Sequence, residues 1–316
     1  MLMLGLTSSI GPGRRELPMH LGGVLHGMVE AGVLAHDPAI LEVLRPAGAQ
    51  APARFSVQAP PVDAPGNNAV EPTTDVGAGF ELSFGVLLFG AAVPFWPRVL
   101  SALLLQARNR LHGRQIDYTN ATVVTPGSEP TSVWYEGATT IKHLPDLRLA
   151  WARQHAALQA DADSLPRLHH LLLRSPLLLA SRSAAREGLQ RYGQLPWPSL
   201  GSVLDSIAQR LIALEPELAQ ALQIGPGWSS GPATRSVMPL TPAQSPAEQI
   251  VWTYRAAARG VHPPRSRSLE LPGIVGTLIF PGGNDPLERA LLHWGQWIGV
   301  GQKTTMGCGQ YVYRAS

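Results

Sequence analysis

The chain has 316 residues, of which 45% are hydrophobic and only 15% are charged, and this balance excludes disorder for most of the sequence. The net charge of +3 permits a nucleic-acid partner without requiring one. One cysteine excludes a disulfide framework, and no signal peptide or bilayer-length apolar run is present, so we expect a cytoplasmic protein.

The basic residues are almost all arginines. Lys142 and Lys303 are the two lysines among 25 basic residues. The planar guanidinium of arginine suits phosphate, although a base-composition bias of the genome would produce the same excess.

The first part of the sequence predicts a strand, a helical region, two strands, a helix and a strand. This is the β-α-β-β-α-β order of a ferredoxin-like domain. The predicted elements are a strand at Met1–Thr7, a helix at Leu17–Val33, a short helix capped by Asp37 and ending near Leu44, strands at Arg54–Val57 and Phe80–Phe89, a helix at Val99–Arg110 and a strand at Asn120–Thr125.

The second part begins near Leu144 and predicts another α+β unit of similar size. Its predicted elements are helices at Leu165–Tyr192 and Leu200–Leu222, a short helix at Ala247–Arg259, a strand at Ile274–Phe280, a helix at Pro286–Gly295 and a strand at Gln310–Arg314. We therefore predict an α+β chain with two tandem ferredoxin-like domains, 1–143 and 144–316. A helical insertion is expected at about 165–222 in the second domain.

Two short motifs suggest other enzyme classes, and neither has the structural setting it needs. Gly227–Gly231 matches the G-x-S-x-G nucleophile elbow, but the prolines on both sides argue against the required strand and helix. Gly299–Thr304 resembles a phosphate loop, but Gln302 stands where a Walker A loop needs glycine. The histidines lack metal-ligand spacing, and His169 and His170 fit packing or surface positions, so we predict no metal and no nucleotide cofactor.

The most specific feature is the glycine-rich C-terminal segment, in which Gly299-Val300-Gly301-Gln302-Lys303-Thr304-Thr305 precedes Gly307, Gly309 and Tyr311. With Leu271–Gly276 and Leu292–Gly295 before it, this segment resembles the ending of the CRISPR-associated repeat-RNA-processing endoribonucleases, the sixth Cas protein family of the RAMP superfamily. Further similar segments are Leu87–Gly90 with Pro97–Leu111 and Gly113-Arg114, and Leu17–Gly23 with Asp37–Leu44 and Phe55–Val57.

The resemblance implies two ferredoxin-like domains that bind a CRISPR repeat RNA hairpin and cut it once without a metal ion. The 2′-hydroxyl before the break attacks the adjacent phosphate and leaves a 2′,3′-cyclic phosphate. The protein is then expected to stay on its product and to meet other Cas effector subunits, with no membrane partner. The alternatives are a non-catalytic RAMP subunit that holds guide RNA, or an unrelated RNA-binding ferredoxin-like protein.

The expected catalytic position carries an arginine. Many family members have a Leu-His pair just before the Phe-Ser/Thr strand, and the matching pair here is Leu44-Arg45, which favours a divergent system such as type IV. Arg45 cannot readily accept a proton but could hold the charge of the phosphorane. His36, His26 and His20 are the other candidates.

These histidines differ in their predicted settings. His26 also fits a packed core position, His36 lies at a helix–helix turn, and His20 lies at a helix start, where the helix dipole favours the neutral base. A mechanism without histidine remains open, as does non-catalytic retention of the fold.

The predicted RNA-binding residues combine the glycine-rich loop with clusters of arginines. Glycines let backbone amides approach a phosphate, although a hairpin that packs the two domains together is an alternative. A helix through the arginines near position 180 is expected to grip the RNA hairpin, or else to be a solvated face. The predicted residues are Arg14, Arg15, Arg98, Arg108, Arg110, Arg114, Arg174, Arg182, Arg186, Arg265, Arg267, Gly299, Gly301, Lys303, Gly307 and Gly309.

Overall fold

A computed structural model defines the architecture of the chain. It describes residues 1–12, 16–18, 21–47, 51–60, 73–75, 79–105, 110–111, 114–144, 147, 151–160, 167–179, 197–240, 247–257, 266–282, 285–302 and 304–316. Within these ranges, no helix is long and apolar enough to cross a membrane.

The first half of the chain forms an antiparallel sheet with helices packed on one face. In chain order it contains β1 (Leu2–Ile10), β2 (Glu16–Pro18), α1 (Gly22–His36), α2 (Pro38–Leu44), β3 (Phe55–Gln58), β4 (Thr73–Asp75), β5 (Glu81–Leu88), a 3-10 helix (Gly90–Phe95), α3 (Trp96–Leu105), β6 (Arg110–Leu111), β7 (Arg114–Val124) and β8 (Thr131–Tyr135). The strand order is β3-β5-β1-β7-β6, with β8 paired to β7.

The second half repeats this arrangement. In chain order it contains α4 (Trp151–Ala160), β9 (Leu168–Leu177), α5 (Leu200–Leu214), α6 (Pro216–Ala221), α7 (Pro232–Ser236), β10 (Ala247–Ala257), β11 (Ser266–Pro281), α8 (Pro286–Ile298), a 3-10 helix (Thr304–Met306) and β12 (Tyr311–Ala315). Its sheet has the order β10-β11-β9-β12 with antiparallel neighbours.

Both halves thus have a central first strand between the third and fourth strands of a β-α-β-β-α-β unit. This is the ferredoxin-like topology, and the prediction of two tandem ferredoxin-like domains is confirmed. The predicted boundary at residue 144 falls between β8 and α4, beside residues that lie outside the described ranges, and it stays a prediction.

The pattern of β1 explains how the first core forms. Leu2, Leu4, Leu6 and Ile10 alternate with half-buried residues, because successive side chains of a strand point to opposite faces. The four buried residues join the core that α1 and α3 cover. The second core is built in the same way around Leu171, Leu278 and Phe280, with Trp294 of α8 buried against them.

The predicted helix at Leu165–Tyr192 is wrong over residues 168–177, which form the central strand β9. His169, Leu171 and Leu173 are buried, and the residues between them are more exposed, so the burial period is that of a strand. The helix α5 then takes the place of the first helix of the fold. The expected insertion at 165–222 is therefore wrong for β9 and α5, which belong to the ferredoxin-like unit itself.

Other local predictions also change. Ala247–Ala257, predicted as a helix, is a strand paired with β11 along its full length. Arg110–Leu111, predicted to end a helix, is a short strand paired with β7. A five-residue helix begins at Pro232, where we expected none, because proline is well tolerated at the first helical position.

The predicted cap of the second helix is also wrong in its mechanism. Asp37 lies at the N-cap of α2, but its side chain makes no capping hydrogen bond. The carboxylate of Asp37 instead accepts from Arg98 of α3, so it ties two helices together.

Candidate nucleic-acid interface

His26 of α1 connects the first domain to the C-terminal loop of the second. Its Nδ1 lies 3.0 Å from the carbonyl oxygen of Thr305, and its ring stacks on Phe55 at 4.8 Å. A carbonyl oxygen only accepts, so Nδ1 carries the proton. His26 is 5% exposed, so it lies in a packed position. The sequence offered this position as the alternative to a catalytic role.

Glu30 joins His26 to Arg45. One carboxylate oxygen of Glu30 lies 3.3 Å from His26 Nε2 and 2.7 Å from an Arg45 terminal nitrogen. The Glu30 side chain is 11% exposed, whereas that of Arg45 is 49% exposed. Arg45 therefore has one side fixed by a buried anion and the other open to solvent.

The loop of the second domain starts from a fixed helix end. Arg210 of α5 donates from Nε and a terminal nitrogen to the carbonyl oxygen of Ile298, at 3.1 and 2.8 Å. Burial lowers the pKa of Arg210 to about 10, so the guanidinium stays charged at neutral pH. Gly299 follows with a φ of +72°, which turns the chain out of α8.

The four predicted loop glycines use their amides inside the protein. The N–H groups of Gly299, Gly301, Gly307 and Gly309 donate respectively to Gly295 O, Ser206 Oγ, Thr304 O and Pro176 O, at 2.8 to 2.9 Å. These amides are engaged, so the predicted phosphate cradle made from them is wrong in this geometry. The loop instead packs the two domains together, which was the alternative.

The loop docks on β3 of the first domain. A Cβ at Gly307 would lie 2.5 Å from the carbonyl oxygen of Val57, so only glycine fits there. Gln310 Nε2 donates to that same oxygen at 2.9 Å, and Gln310 is 3% exposed. The docking and the His26–Thr305 contact place Arg45 near the junction of the domains.

Arg98, predicted to bind RNA, has a partner in the protein. Its Nε and a terminal nitrogen donate to the two oxygens of Asp37 at 2.7 and 2.8 Å. These hydrogen bonds, chiefly, hold the pKa of the Asp37 carboxyl below its usual range. The guanidinium also lies 5.7 Å from the Phe95 ring centre. An RNA phosphate would have to compete with Asp37.

The structure separates His36 from Arg45. His36 is the exposed last residue of α1, whereas Arg45 follows α2. At 1.5 Å per residue, the helix between them is roughly 10 Å long. Of the predicted catalytic residues that are described, Arg45 and His26 come together through Glu30, and His36 lies at the other end of α2.

The remaining arginines do not form the predicted helical grip in the described ranges. Arg174 lies on β9, half-buried, and not on a helix. The backbones of Arg110, Arg114 and Arg267 lie on strands. The predicted residues that lie outside the described ranges are His20, Arg14, Arg15, Arg108, Arg182, Arg186, Arg265 and Lys303.

Sequence reasoning missed Glu30 and Arg54. Glu30 is four residues after His26, a spacing that places two side chains on one helix face and could have indicated the pair. Arg54 is half-buried, and its N–H donates at 2.8 Å to Leu44 O, directly before Arg45. The carbonyl oxygen of Arg54 accepts from Phe89 N. Arg54 is therefore hydrogen-bonded through both its N–H and its carbonyl, and the first of these bonds holds it next to Arg45.

A second polar cluster lies under α8. His169 Nδ1 and the Tyr313 hydroxyl are 3.0 Å apart, and burial is the main cause that raises the pKa of Tyr313 to about 12. His293 lies on α8, where burial, and then the charge of Arg289, lowers its pKa to about 4. In the described part of the chain, no group of three or more His, Cys, Asp or Glu could hold a metal ion.

Comparison with known proteins places this geometry in context. The model of the family "CRISPR-associated endoribonuclease Cas6" matches residues 171–311. No curated protein sequence matches the chain. A Thermus thermophilus Cas6 product complex has 16% identity and a TM-score of 0.50, and the match covers 99% of both chains.

Two further solved structures share the fold. A second Cas6 product complex has 16% identity and a TM-score of 0.50, with full coverage of both chains. A partial Cas6-RT-Cas1–Cas2 complex has 13% identity and a TM-score of 0.54, and the match covers all of this chain and 46% of that one. The family model matches residues 171–311, less than half of the chain, and the solved structures share its fold. The chain is therefore similar to the Cas6 family in its second domain and in its overall fold, in agreement with the resemblance seen in the sequence.

Proposed function

We propose that this chain is an endoribonuclease that binds the repeat hairpin of precursor CRISPR RNA, cleaves it once and stays on the product. The observation that carries the proposal is a half-exposed Arg45 fixed by the buried Glu30 where the domains meet. Support also comes from the family-model match over residues 171–311 and from structures of the same fold that are described as product complexes. The structure described with Cas1 and Cas2 supports other Cas proteins as partners.

The proposed reaction needs no metal ion. The 2′-hydroxyl before the break gives up its proton to a base and attacks the adjacent phosphorus, and the bond to the 5′-oxygen breaks. The leaving 5′-oxygen takes up a proton, so a 2′,3′-cyclic phosphate and a 5′-hydroxyl remain. Arg45 stabilises the negative charge that grows on the phosphorane oxygens. His20 stays a candidate base, and a mechanism in which arginines alone orient the 2′-hydroxyl is the alternative.

The test uses RNA transcribed from the CRISPR array of the source genome. Wild-type protein with EDTA is expected to cut each repeat once and to leave a cyclic phosphate. A 2′-deoxy substitution at the scissile position should abolish the cut, because the nucleophile is gone. A cut that survives the 2′-deoxy substitution would contradict the mechanism.

A second candidate function is a binding subunit that holds guide RNA without cutting it. The positions of His26 and His36 favour this function. His26 faces protein acceptors with both ring nitrogens, and His36 lies at the far end of α2. Tight binding of the repeat with no cleavage would favour this function, and equal binding of an unrelated hairpin would favour a general RNA-binding protein.

A further inference from the structure

A continuous chain of polar contacts connects the C-terminal loop to Arg45. It passes from the Thr305 carbonyl to the His26 ring at 3.0 Å, then to Glu30 at 3.3 Å, and then to Arg45 at 2.7 Å. The two domains contribute from opposite ends of the sequence, since Thr305 and His26 are 279 positions apart. We call Thr305, His26, Glu30 and Arg45 the relay.

The relay alternates hydrogen-bond acceptors and donors along its length. Thr305 O and the Glu30 carboxylate are both acceptors, so the doubly protonated form of His26 satisfies both contacts. Glu30 lies between the His26 ring and the Arg45 guanidinium, and burial strengthens the attraction of its carboxylate to that guanidinium. The helix, burial, His26 and Arg45 all restrain Glu30, whereas the Arg45 side chain is 49% exposed.

We propose that Glu30 is a positioning residue that sets the orientation of the Arg45 guanidinium toward the scissile phosphate. His26 transmits the docking of the C-terminal loop to Glu30, so Arg45 is oriented only when the two domains are closed on each other. Glu30 itself does not touch the RNA. This inference rests on the proposed function, because it assigns how the Arg45 of that function is held.

A double-mutant cycle on repeat RNA cleavage tests the inference, since coupling is measured directly by such a cycle. Glu30→Gln keeps the size of the side chain and removes its charge. It should lower kcat about tenfold with KM changed less than about twofold, because orientation matters most in the transition state. In an Arg45→Ala background, Glu30→Gln should lower kcat less than about twofold.

Equal losses of kcat from Glu30→Gln in both backgrounds would overturn the proposal, because they would show a structural role independent of Arg45. Asp205→Asn is the matched control, since Asp205 pairs with Arg235 at 3.4 Å in the second domain and lies outside the relay. It should leave kcat unchanged. If Glu30→Gln does not fold, Glu30→Asp replaces it in the same cycle. Glu30→Asp keeps the charge but shortens the side chain, and the same outcomes support or overturn the proposal.

The cycle also separates this inference from the proposed function. If wild-type protein binds the repeat without cutting it, the proposed function fails. The double-mutant cycle is then measured on the dissociation constant for repeat RNA in place of kcat. Coupling between Glu30 and Arg45 of about threefold or more in that constant would retain the positioning role. Additive effects on binding would overturn it.

Discussion

Gln310 and Val57 join the two domains by a buried hydrogen bond of 2.9 Å from the Gln310 side-chain amide to the Val57 carbonyl. Gly307 approaches the same carbonyl from the loop. The Val57 carbonyl of β3 therefore contacts the loop at Gly307 and accepts a hydrogen bond from the Gln310 side chain just before β12, so the loop has little room to shift.

Gly307→Ala should destabilise the protein more than a usual glycine substitution. The residue has a φ of +76°, and an added Cβ would meet Val57 O at 2.5 Å. Left-handed backbone alone costs about 1–2 kcal/mol, and the contact with a carbonyl adds to it. Gly137→Ala is the control, because its φ is +85° and its Cβ would meet no atom within 4 Å. Urea unfolding that gives equal losses for both variants would contradict the close approach.

Arg45→Ala should lower the cleavage rate about 100-fold or more, since loss of one donor to a transition-state anion typically costs this much. Arg45→Lys should recover part of the rate, because it restores the charge without the planar fork. Single-turnover cleavage of the repeat RNA measures both. A rate for Arg45→Ala within about threefold of the wild type would be incompatible with its assigned role.

The Arg98–Asp37 pair predicts opposite effects of its two members on RNA binding. Arg98→Ala should weaken binding and reduce its salt dependence if Arg98 meets a phosphate. Asp37→Asn should strengthen binding, because it releases the guanidinium that Asp37 now holds at 2.7 and 2.8 Å. Filter binding measured across a salt series gives the dissociation constant and its salt dependence for both variants. Unchanged binding in both variants would exclude Arg98 from the RNA-binding surface.

His293 predicts acid sensitivity of the fold. Burial lowers its pKa to about 4 in the folded protein, below the usual 6.5, so the unfolded chain binds the proton first as pH falls. Stability is therefore full above about pH 6.5 and falls between there and about pH 4, by up to about 3 kcal/mol. His293→Gln should remove this part of the loss in urea unfolding at pH 7 and pH 4.5. An unchanged pH dependence in the variant would mean that other groups cause it.

The fold was largely predictable because its signals are local. Alternating residues of β1 and the apolar face of α8 have the periods of a strand and a helix, and both elements were expected close to where they lie. Strand β9 was missed because its run of histidines and leucines fits a buried helix as well as a strand. The central position of β9 in the sheet decides between them, and that position is a tertiary property.

The site was predictable only in part. The position of Arg45 followed from its place before the Phe-Ser strand, but its partner Glu30 lies 15 residues earlier on another helix. The loop glycines were noticed as phosphate ligands, yet hydrogen bonds within the second domain use their amides. Contacts between distant segments, such as His26 with Thr305, require the tertiary fold and leave no periodic signal in the sequence.

The contact between His26 and Thr305 has a consequence for synthesis of the chain. The ribosome makes α1 and Arg45 early and Thr305 very late, so a nascent first domain has Arg45 and Glu30 but lacks the carbonyl that anchors His26. An unfinished polypeptide therefore exposes an arginine that is not yet aligned. We expect RNA binding by nascent chains to precede cleavage competence, which would arise only after residue 305 has left the ribosome and docked.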